Sequence, residues 1–271
     1  MISCGIDIGS RTIKIALYDG SAVVDSMVTM SGSAPQQIAE ECYQQLLNRN
    51  DLCSNGIAFT TATGYGRNYF SLADKASSEI ICHSAGVAFL CPDAKTIIDI
   101  GGQDSKVMQL LDGGKVGDFA MNDRCAAGTG KFIEMVAQTL NIPVASTGAL
   151  ALSSNASCDI SSMCAVFAES EVIGLLHKGI PAEVILRGIF DSVAKRVVSL
   201  GRKVGFRGPV VFTGGVAQNP GVVAAIQQQL IEHNIVTPNQ PQLTGAIGAA
   251  IIGYRTAVAR NSASASIGAC Q

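Results

Sequence analysis

The stretch Ile6-Asp7-Ile8-Gly9 occurs a second time as Ile98-Asp99-Ile100-Gly101. In each copy an apolar run leads into the glycine, and a lysine, Lys14 or Lys106, follows after the same gap. A second extended segment and a further Asp-Gly turn come next in both copies, which is the pattern of a β-hairpin. The sequence therefore predicts two hairpins that descend from an internal duplication.

The tips of these hairpins are suited to phosphate groups. Glycine has no Cβ, so backbone N–H groups can approach an anion, and an aspartate at the end of a strand can hold a hydrated divalent cation. Two such tips facing each other would hold the phosphate tail of a nucleotide. The alternative is two ordinary hairpins whose aspartates only cap turns. The identical spacing of the two copies favours phosphate binding.

The composition is that of an α/β protein with one large domain or two smaller ones. Among the 271 residues, 15% are charged and 5% are aromatic, and tryptophan is absent. Layers packed through small aliphatic side chains have this composition. The net charge of −2 argues against nucleic acid as a partner. Because the chain from Met1 has no leader pattern and no membrane-spanning apolar run, we predict a cytoplasmic protein without a membrane partner.

The order of elements predicts two lobes of sheet and helix with a cleft between them. The first lobe comprises residues 1–94 and 246–271, and the second comprises residues 95–245. The predicted helices are Pro35–Asn48, Ser77–Leu90, Lys131–Leu140, Val166–His177 and Ala182–Val204, and the predicted strands outside the hairpins are Ala22–Met30, Gly56–Thr61 and Val210–Thr213.

A third glycine turn follows the last of these strands. Gly214-Gly215-Val216 leads to Asn219-Pro220, where asparagine is a plausible N-cap and proline favours the first helical turn. A strand, glycine turn and helix in this order suits the base or ribose of a nucleotide, although a purely structural turn explains it equally well. Further on, Gly245–Ala250 opens a small-residue helix that we predict to pack closely against another helix in the first lobe.

The segment from Asn122 to Lys131 contains a cysteine in an unusual glycine loop. It differs from a Walker A motif, because Cys125 stands where glycine is required and Phe132 where Ser or Thr is required. The loop leads into an amphipathic helix, whose N-terminus favours a nearby anion or thiolate. Cys164 holds a similar position before the next apolar helix.

Two interpretations of these thiols are open. The chain has nine cysteines but no C-x-x-C pair, so a four-cysteine cluster or a zinc ribbon within one subunit is poorly supported. A four-thiolate cluster could form if two subunits each contributed two cysteines, which predicts an obligate symmetric dimer. The alternative is two buried or incidental thiols. Cys158 is a competing donor because it lies close to Cys164 in sequence.

Taken together, the three glycine turns resemble the phosphate and adenosine motifs of the actin, hexokinase and heat-shock chaperone superfamily of ATPases. Within it, the sequence closely resembles the activators of 2-hydroxyacyl-CoA dehydratases and the ATPase subunits of benzoyl-CoA reductase. The likeness covers essentially the whole chain and is carried by Gly64-Tyr65-Gly66-Arg67, residues 99–104, residues 122–130 and Cys164.

The resemblance implies a fold, cofactors and an assembly. The fold would be α/β, with two RNase H-like lobes of the actin-like ATPase type and an interlobe nucleotide cleft. ATP or ADP and Mg²⁺ would occupy the cleft. A homodimer would be bridged by one 4Fe-4S cluster, with Cys125 and Cys164 of each subunit as its metal ligands.

The resemblance also implies a function. Activators of this family accept an electron from ferredoxin or flavodoxin and hydrolyse ATP while passing it to a 2-hydroxyacyl-CoA dehydratase-type partner. Nucleotide binding would close the cleft and change the angle of the two helices near the cluster. The alternatives are a small-molecule kinase of the same superfamily, such as an amino-sugar kinase with incidental cysteines, and a non-enzymatic nucleotide-sensing module.

Individual roles follow from the same resemblance. Asp7 and Asp104 would hold magnesium-bound waters or polarise the attacking water, and Gln103 would position that water. The residues assigned to cofactor binding are Gly9, Ser10, Arg11, Thr12, Lys14, Gly101, Gly102, Lys106, Gly128, Thr129, Gly130, Gly214, Gly215, Val216 and Gln242. Arg11 departs from the family pattern, in which a small hydroxyl residue is usual.

Overall fold

The computed structural model describes residues 1–122, 125–160 and 165–268. The strands are β1 (Ile2–Ile8), β2 (Thr12–Tyr18), β3 (Val23–Met30), β4 (Ile57–Thr63), β5 (Lys75–Ala76), β6 (Thr96–Ile100), β7 (Ser105–Leu111), β8 (Lys115–Asn122), β9 (Val210–Thr213) and β10 (Ile235–Val236). The helices are α1 (Pro35–Arg49), α2 (Glu79–Leu90), α3 (Gly130–Thr139), α4 (Val144–Leu152), α5 (Ala165–His177), α6 (Ala182–Arg202), α7 (Pro220–Gln229) and α8 (Thr244–Gly268).

The strands form two five-stranded sheets with the same arrangement. The first has the order β3-β2-β1-β4-β5, and the second, from the corresponding edge, has the order β8-β7-β6-β9-β10. In the first sheet β1 pairs antiparallel with β2 and parallel with β4, and in the second β6 pairs antiparallel with β7 and parallel with β9. Both predicted hairpins are confirmed, and the internal repeat extends from the turns to the whole sheet.

Strand register explains the identical gap between aspartate and lysine. Asp7 lies opposite Lys14 in the first hairpin, and Asp99 lies opposite Lys106 in the second. Directly opposed residues point to the same face of an antiparallel pair with their Cβ atoms about 5 Å apart. The identical gap between aspartate and lysine therefore places each lysine beside the aspartate of its own hairpin.

The first compact unit comprises Met1–Pro92, Asp112–Lys115 and the chain from Gln242 onward. Its sheet is covered on both faces, because alternate residues of β2 enter different clusters. Ile15 packs with the buried face of α1, whereas Ala16 packs with α8. The predicted close packing of the small-residue helix is confirmed, since α8 contacts α2 through facing glycines and backbone.

The second compact unit comprises Asp93–Leu111 and Val116–Pro241. Its core lies between the sheet and the helices α3, α6 and α7, with Ile98, Phe132 and Phe190 fully or almost fully buried. The Asn219 side chain accepts hydrogen bonds from two amides of the first turn of α7, which confirms the predicted N-cap. No single helix in the described ranges is both long and apolar enough to cross a membrane.

Candidate functional site

The turn between β1 and β2 places a lysine on a buried acid. Asp7 is 5% exposed, and Nζ of Lys14 lies 3.0 Å from its Oδ2. The Gly9 amide donates to the Thr12 carbonyl at 3.1 Å, and the Ser31 hydroxyl donates to the Gly9 carbonyl at 2.7 Å. These bonds hold the turn in one shape. The structure thus brings together the predicted residues Asp7, Gly9, Ser10, Arg11, Thr12 and Lys14.

The loop after β4 lies across the end of β1. Gly64 has φ +87°, and a Cβ at this position would collide with Oδ1 of Asp7. The Gly66 amide donates to the Ile8 carbonyl at 2.9 Å, and Nη1 of Arg67 donates to the Gly64 carbonyl at 3.0 Å. Glycine is required at position 64 because φ is positive and a Cβ would also lie 2.6 Å from the Ile8 carbonyl oxygen, which is backbone.

A buried histidine of α2 lies near the same carboxylate. His83 is 5% exposed, and its Nδ1 lies 2.9 Å from Oγ1 of Thr244. A Cβ on Gly245 would lie 3.2 Å from both Asp7 Oδ2 and His83 Nε2, so at most twice that distance separates the two side-chain atoms. Burial raises the pKa of the neighbouring Cys82 thiol, and the Asp7 charge adds to this. The sequence motifs did not identify His83.

The turn between β6 and β7 holds a lysine between two acids. Lys106 is 2% exposed, with Nζ 2.6 Å from Oδ2 of Asp104 and 3.6 Å from Oδ2 of Asp99. The Thr213 hydroxyl donates to Oδ1 of Asp99 at 2.9 Å. Asp99 is itself 2% exposed, whereas the Asp104 side chain is 27% exposed and Gln103 beside it is exposed. The acid that a ligand can reach in this turn is therefore Asp104.

The two copies of the turn differ in their chemistry. Asp7 and Asp99 hold equivalent register positions, but of these two aspartates in the described chain only Asp99 accepts from a threonine hydroxyl, that of Thr213, and only the second turn adds another acid, Asp104. From Asp7 to Lys14 the first copy carries one negative and two positive charges, because Arg11 lies in the turn, whereas from Asp99 to Lys106 the second copy carries two negative charges and one positive charge. The second turn is therefore the better suited of the two to a divalent cation.

The loop before α3 is attached to the second turn. The Gly130 amide donates to the Gly101 carbonyl at 2.9 Å, and the Lys131 amide donates to the Gly102 carbonyl at 2.8 Å. Two of the helix N-terminal donors that were predicted to favour an anion or thiolate are therefore engaged by backbone carbonyls. Two backbone hydrogen bonds thus attach the end of the loop 128–130 to the turn.

The third glycine turn packs against the end of β6, where the second turn begins. Gly214 has φ +88°, and a Cβ there would collide with the Ile100 carbonyl. Its amide donates to the Pro241 carbonyl at 3.0 Å. Gly215 is exposed and Val216 is buried in the core. The second unit thus joins three of the predicted segments, while Gln242 begins the last segment of the first unit.

Cys125 is an exposed thiol on a braced backbone. The Asn122 side chain donates through Nδ2 to the Cys125 carbonyl at 2.9 Å and accepts from the Cys125 amide through Oδ1 at 3.2 Å. The buried Thr129 donates its hydroxyl to the Ala126 carbonyl at 2.7 Å. The loop is therefore held on both sides of the cysteine. The other predicted ligand, Cys164, lies outside the described residues.

Cys158 does not fit the role of a competing metal ligand. Its thiol donates to the Val184 carbonyl at 3.6 Å, and burial raises its pKa, so the thiolate that a metal requires is disfavoured. Within residues 1–122, 125–160 and 165–268, no group of three or more His, Cys, Asp or Glu side chains could hold a metal ion. The described part of one chain therefore does not assemble a complete ligand set by itself.

Comparison with known proteins agrees with this geometry. The sequence profile of the BadF/BadG/BcrA/BcrD ATPase family matches residues 4–253. The activator of lactoyl-CoA dehydratase from Anaerotignum propionicum is 45% identical over 261 residues, which cover 95% of this chain and 99% of that protein.

Two solved structures share the fold closely. Component A of (R)-2-hydroxyglutaryl-CoA dehydratase from Acidaminococcus fermentans has a TM-score of 0.91 at 40% identity, covering 95% of this chain and 99% of that one. The activator of the 2-hydroxyisocaproyl-CoA dehydratase from Clostridium difficile, with bound ADPNP, also has a TM-score of 0.91, at 41% identity and 97% coverage of each chain. These similarities confirm the α/β fold of the actin-like ATPase type and the predicted resemblance to dehydratase activators.

Proposed function

Because the chain belongs to the BadF/BadG/BcrA/BcrD ATPase family, we propose that it activates a 2-hydroxyacyl-CoA dehydratase-type partner by ATP-driven transfer of a low-potential electron. One observation carries this proposal. The exposed Cys125 thiol stands on a loop whose far end is hydrogen-bonded to the turn at Gly101 and Gly102. Phosphoryl transfer to a small molecule does not require an exposed thiol on this loop, and three relatives of the chain are named as activators rather than kinases.

The acidic turns supply the chemistry of ATP hydrolysis. Carboxylate oxygens suit Mg²⁺, and we assign magnesium-bound waters or the attacking water to Asp7 and Asp104, with Gln103 positioning that water. Each acid now holds a lysine ammonium, Lys14 or Lys106. When a phosphate arrives, the ammonium can turn from the carboxylate to the phosphate oxygens, which frees the carboxylate for a hydrated cation.

The remaining nucleotide contacts are proposed for the three glycine turns. The first turn contributes phosphate contacts near Arg11, and the second contributes backbone amides around Gly102. The adenosine is assigned to the third turn. The full set of proposed contacts is Gly9, Ser10, Arg11, Thr12, Lys14, Gly101, Gly102, Lys106, Gly128, Thr129, Gly130, Gly214, Gly215, Val216 and Gln242.

The electron carrier is assigned to a 4Fe-4S cluster shared by two chains. Such a cluster is a one-electron carrier bound by four thiolates. Cys125 fits as a ligand because its thiol is exposed on a fixed backbone, and Cys158 does not fit. With Cys164 as the second ligand, two chains provide the set, and the protein is a homodimer whose reductant is ferredoxin or flavodoxin. The lobes are assigned to residues 1–94 with 246–271 and 95–245, and the location to the cytoplasm.

Anaerobic purification followed by iron and sulfide analysis tests the cluster. We expect about four iron and four sulfide per two chains, bound to a dimer. Cys125→Ser and Cys164→Ser should each lose the iron, whereas the matched control Cys158→Ser should retain it. A colourless monomer without iron after reconstitution would contradict the proposal. ATP-dependent phosphorylation of an amino sugar by that monomer would establish the kinase instead.

A further inference from the structure

We propose that the turn at Asp112–Lys115 transmits the nucleotide state of the Asp7 site to the cysteine loop, with α2 at one end and β8 at the other. The proposal rests on the functions proposed for Asp7 and Cys125. It assigns the coupling between them to one short segment that belongs to neither site.

The input end of this connection is α2. His83 of this helix lies near the Asp7 carboxylate, and its ring is fixed by Thr244. Asp7 also accounts for part of the raised pKa of Cys82. A change in the charge bound at Asp7 therefore changes the electrostatic field at this part of α2.

Further along its length, α2 packs against the turn at Asp112–Lys115. A Cβ on Gly114 would lie 2.5 Å from Cβ of Ala88 and 3.7 Å from the Ser84 carbonyl oxygen. There is no room for even a methyl group between turn and helix, so a displacement of α2 toward the turn has to move the turn. Ser84 and Ala88 lie on the same helix as His83, and Ser84 is the next residue in the chain.

The output end is β8. The turn belongs to the first unit, whereas the chain from Val116 belongs to the second. At a rise of about 3.3 Å per residue, β8 spans roughly 25 Å from the turn to Asn122. Asn122 holds the backbone of Cys125 through two hydrogen bonds. A movement of the turn is thereby delivered to the cysteine.

The environment of β8 suits it to this role. It is an edge strand of its sheet, and each of its residues is at least partly exposed. The strand can shift without breaking a packed core, because it has a single neighbouring strand and carries no fully buried side chain. Tightly packed interiors resist such shifts.

Two adjacent glycines provide a matched test. Gly113 has φ +75° and Gly114 has φ +73°, so alanine costs similar backbone strain at either position. A Cβ on Gly113 has no atom of the described residues within 4 Å, whereas a Cβ on Gly114 collides with Ala88. Gly114→Ala therefore disturbs the contact with α2, and Gly113→Ala controls for strain.

The measurement is hydrogen–deuterium exchange of the anaerobically purified protein, with and without Mg²⁺ and ADPNP. In the wild type and in Gly113→Ala, we expect the nucleotide to change the exchange rate of residues 116–125 by about threefold or more. In Gly114→Ala this response should be lost, while calorimetry shows nucleotide binding within about threefold of wild type. Adding Ala88→Gly removes the colliding methyl group and should restore the response.

The outcomes separate the coupling from the proposed function. An unchanged response in Gly114→Ala, or no response in the wild type despite nucleotide binding, overturns the coupling. Nucleotide binding and a normal response in a protein without iron leave the coupling intact and overturn the electron-transfer function. Failure to bind Mg²⁺ and ADPNP overturns both.

Discussion

Replacing Lys106 with methionine is expected to destabilise the second unit by about 3 to 5 kcal/mol. Its ammonium lies 2.6 Å from Asp104 and 3.6 Å from Asp99, and it is 2% exposed. At an effective dielectric constant of about 20, each contact has a gross attraction of roughly 5 to 6 kcal/mol, most of which offsets the desolvation of the charges. Methionine keeps the volume but leaves the buried Asp99 carboxylate without its counter-charge.

The first hairpin offers a control. Lys14 has the same register position but contacts one acid, and its side chain is 14% exposed. We expect Lys14→Met to cost about 1 to 2 kcal/mol, because water compensates part of the loss. In the double variant Lys106→Met, Asp99→Asn, about 2 kcal/mol or more should return, since the uncompensated charge is gone.

Urea unfolding can resolve which unit is affected. The chain has no tryptophan, and its tyrosines all lie in the first unit, at positions 18, 43, 65, 69 and 254. Tyrosine fluorescence therefore reports the first unit, and far-ultraviolet circular dichroism reports both. Lys106→Met should lower the circular dichroism midpoint more than the fluorescence midpoint. A loss below about 1 kcal/mol, or one no larger than that of Lys14→Met, would refute the charge-balance argument.

Three further outcomes are expected. Asp104→Asn should reduce the rate of ATP hydrolysis by about a hundredfold or more, while the affinity for ADP, measured by calorimetry, stays within about threefold of wild type. Equal losses of hydrolysis rate and ADP affinity would assign Asp104 to binding alone. Asn219→Ala should lower the free energy of unfolding by about 1 kcal/mol, because it removes the N-cap of α7 and the hydrogen bond to Thr147; an unchanged urea midpoint would show that the cap is dispensable. Iodoacetamide at pH 8 should alkylate the exposed Cys53 much faster than Cys158, as measured by peptide mass spectrometry. The rate at Cys158 should rise with pH, because burial raises the pKa of this thiol and keeps it protonated. Equal rates at the two cysteines would count against the burial of Cys158.

The parts of the fold that were predictable depend on local chemistry. Alternating residues and glycine turns predict the two hairpins, and Asn219-Pro220 predicts the start of α7. The composition predicts an α/β protein, and the resemblance of the glycine and cysteine motifs to a known family implies the actin-like ATPase fold. By contrast, β8 and α4 were not predicted. The exposed β8 has no alternating apolar face, and α4 is rich in small residues that both helices and loops accept.

The site was less accessible to sequence reasoning where distant segments meet. His83 reaches the Asp7 region because Thr244, 161 residues away in sequence, holds its ring. No local pattern marks such a partner. Similarly, the repeat makes Asp7 and Asp99 look equivalent, yet Asp99 accepts a hydrogen bond from Thr213, which lies on a strand 114 residues away in sequence. Asn122 had a weak local signal, since asparagine side chains commonly bond to backbone groups a few residues along the chain.

The division of the first unit into separated segments has a consequence for synthesis on the ribosome. One face of its sheet is covered by α8, whose residues follow the entire second unit in the chain. Domains generally begin to fold as soon as their own residues have emerged. The second unit can therefore complete its core first, while Ala16 and Tyr18 of the first sheet stay uncovered until α8 leaves the exit tunnel. The nascent chain exposes an apolar surface during this interval, and a chaperone that protects this face should bind before residue 244 is translated.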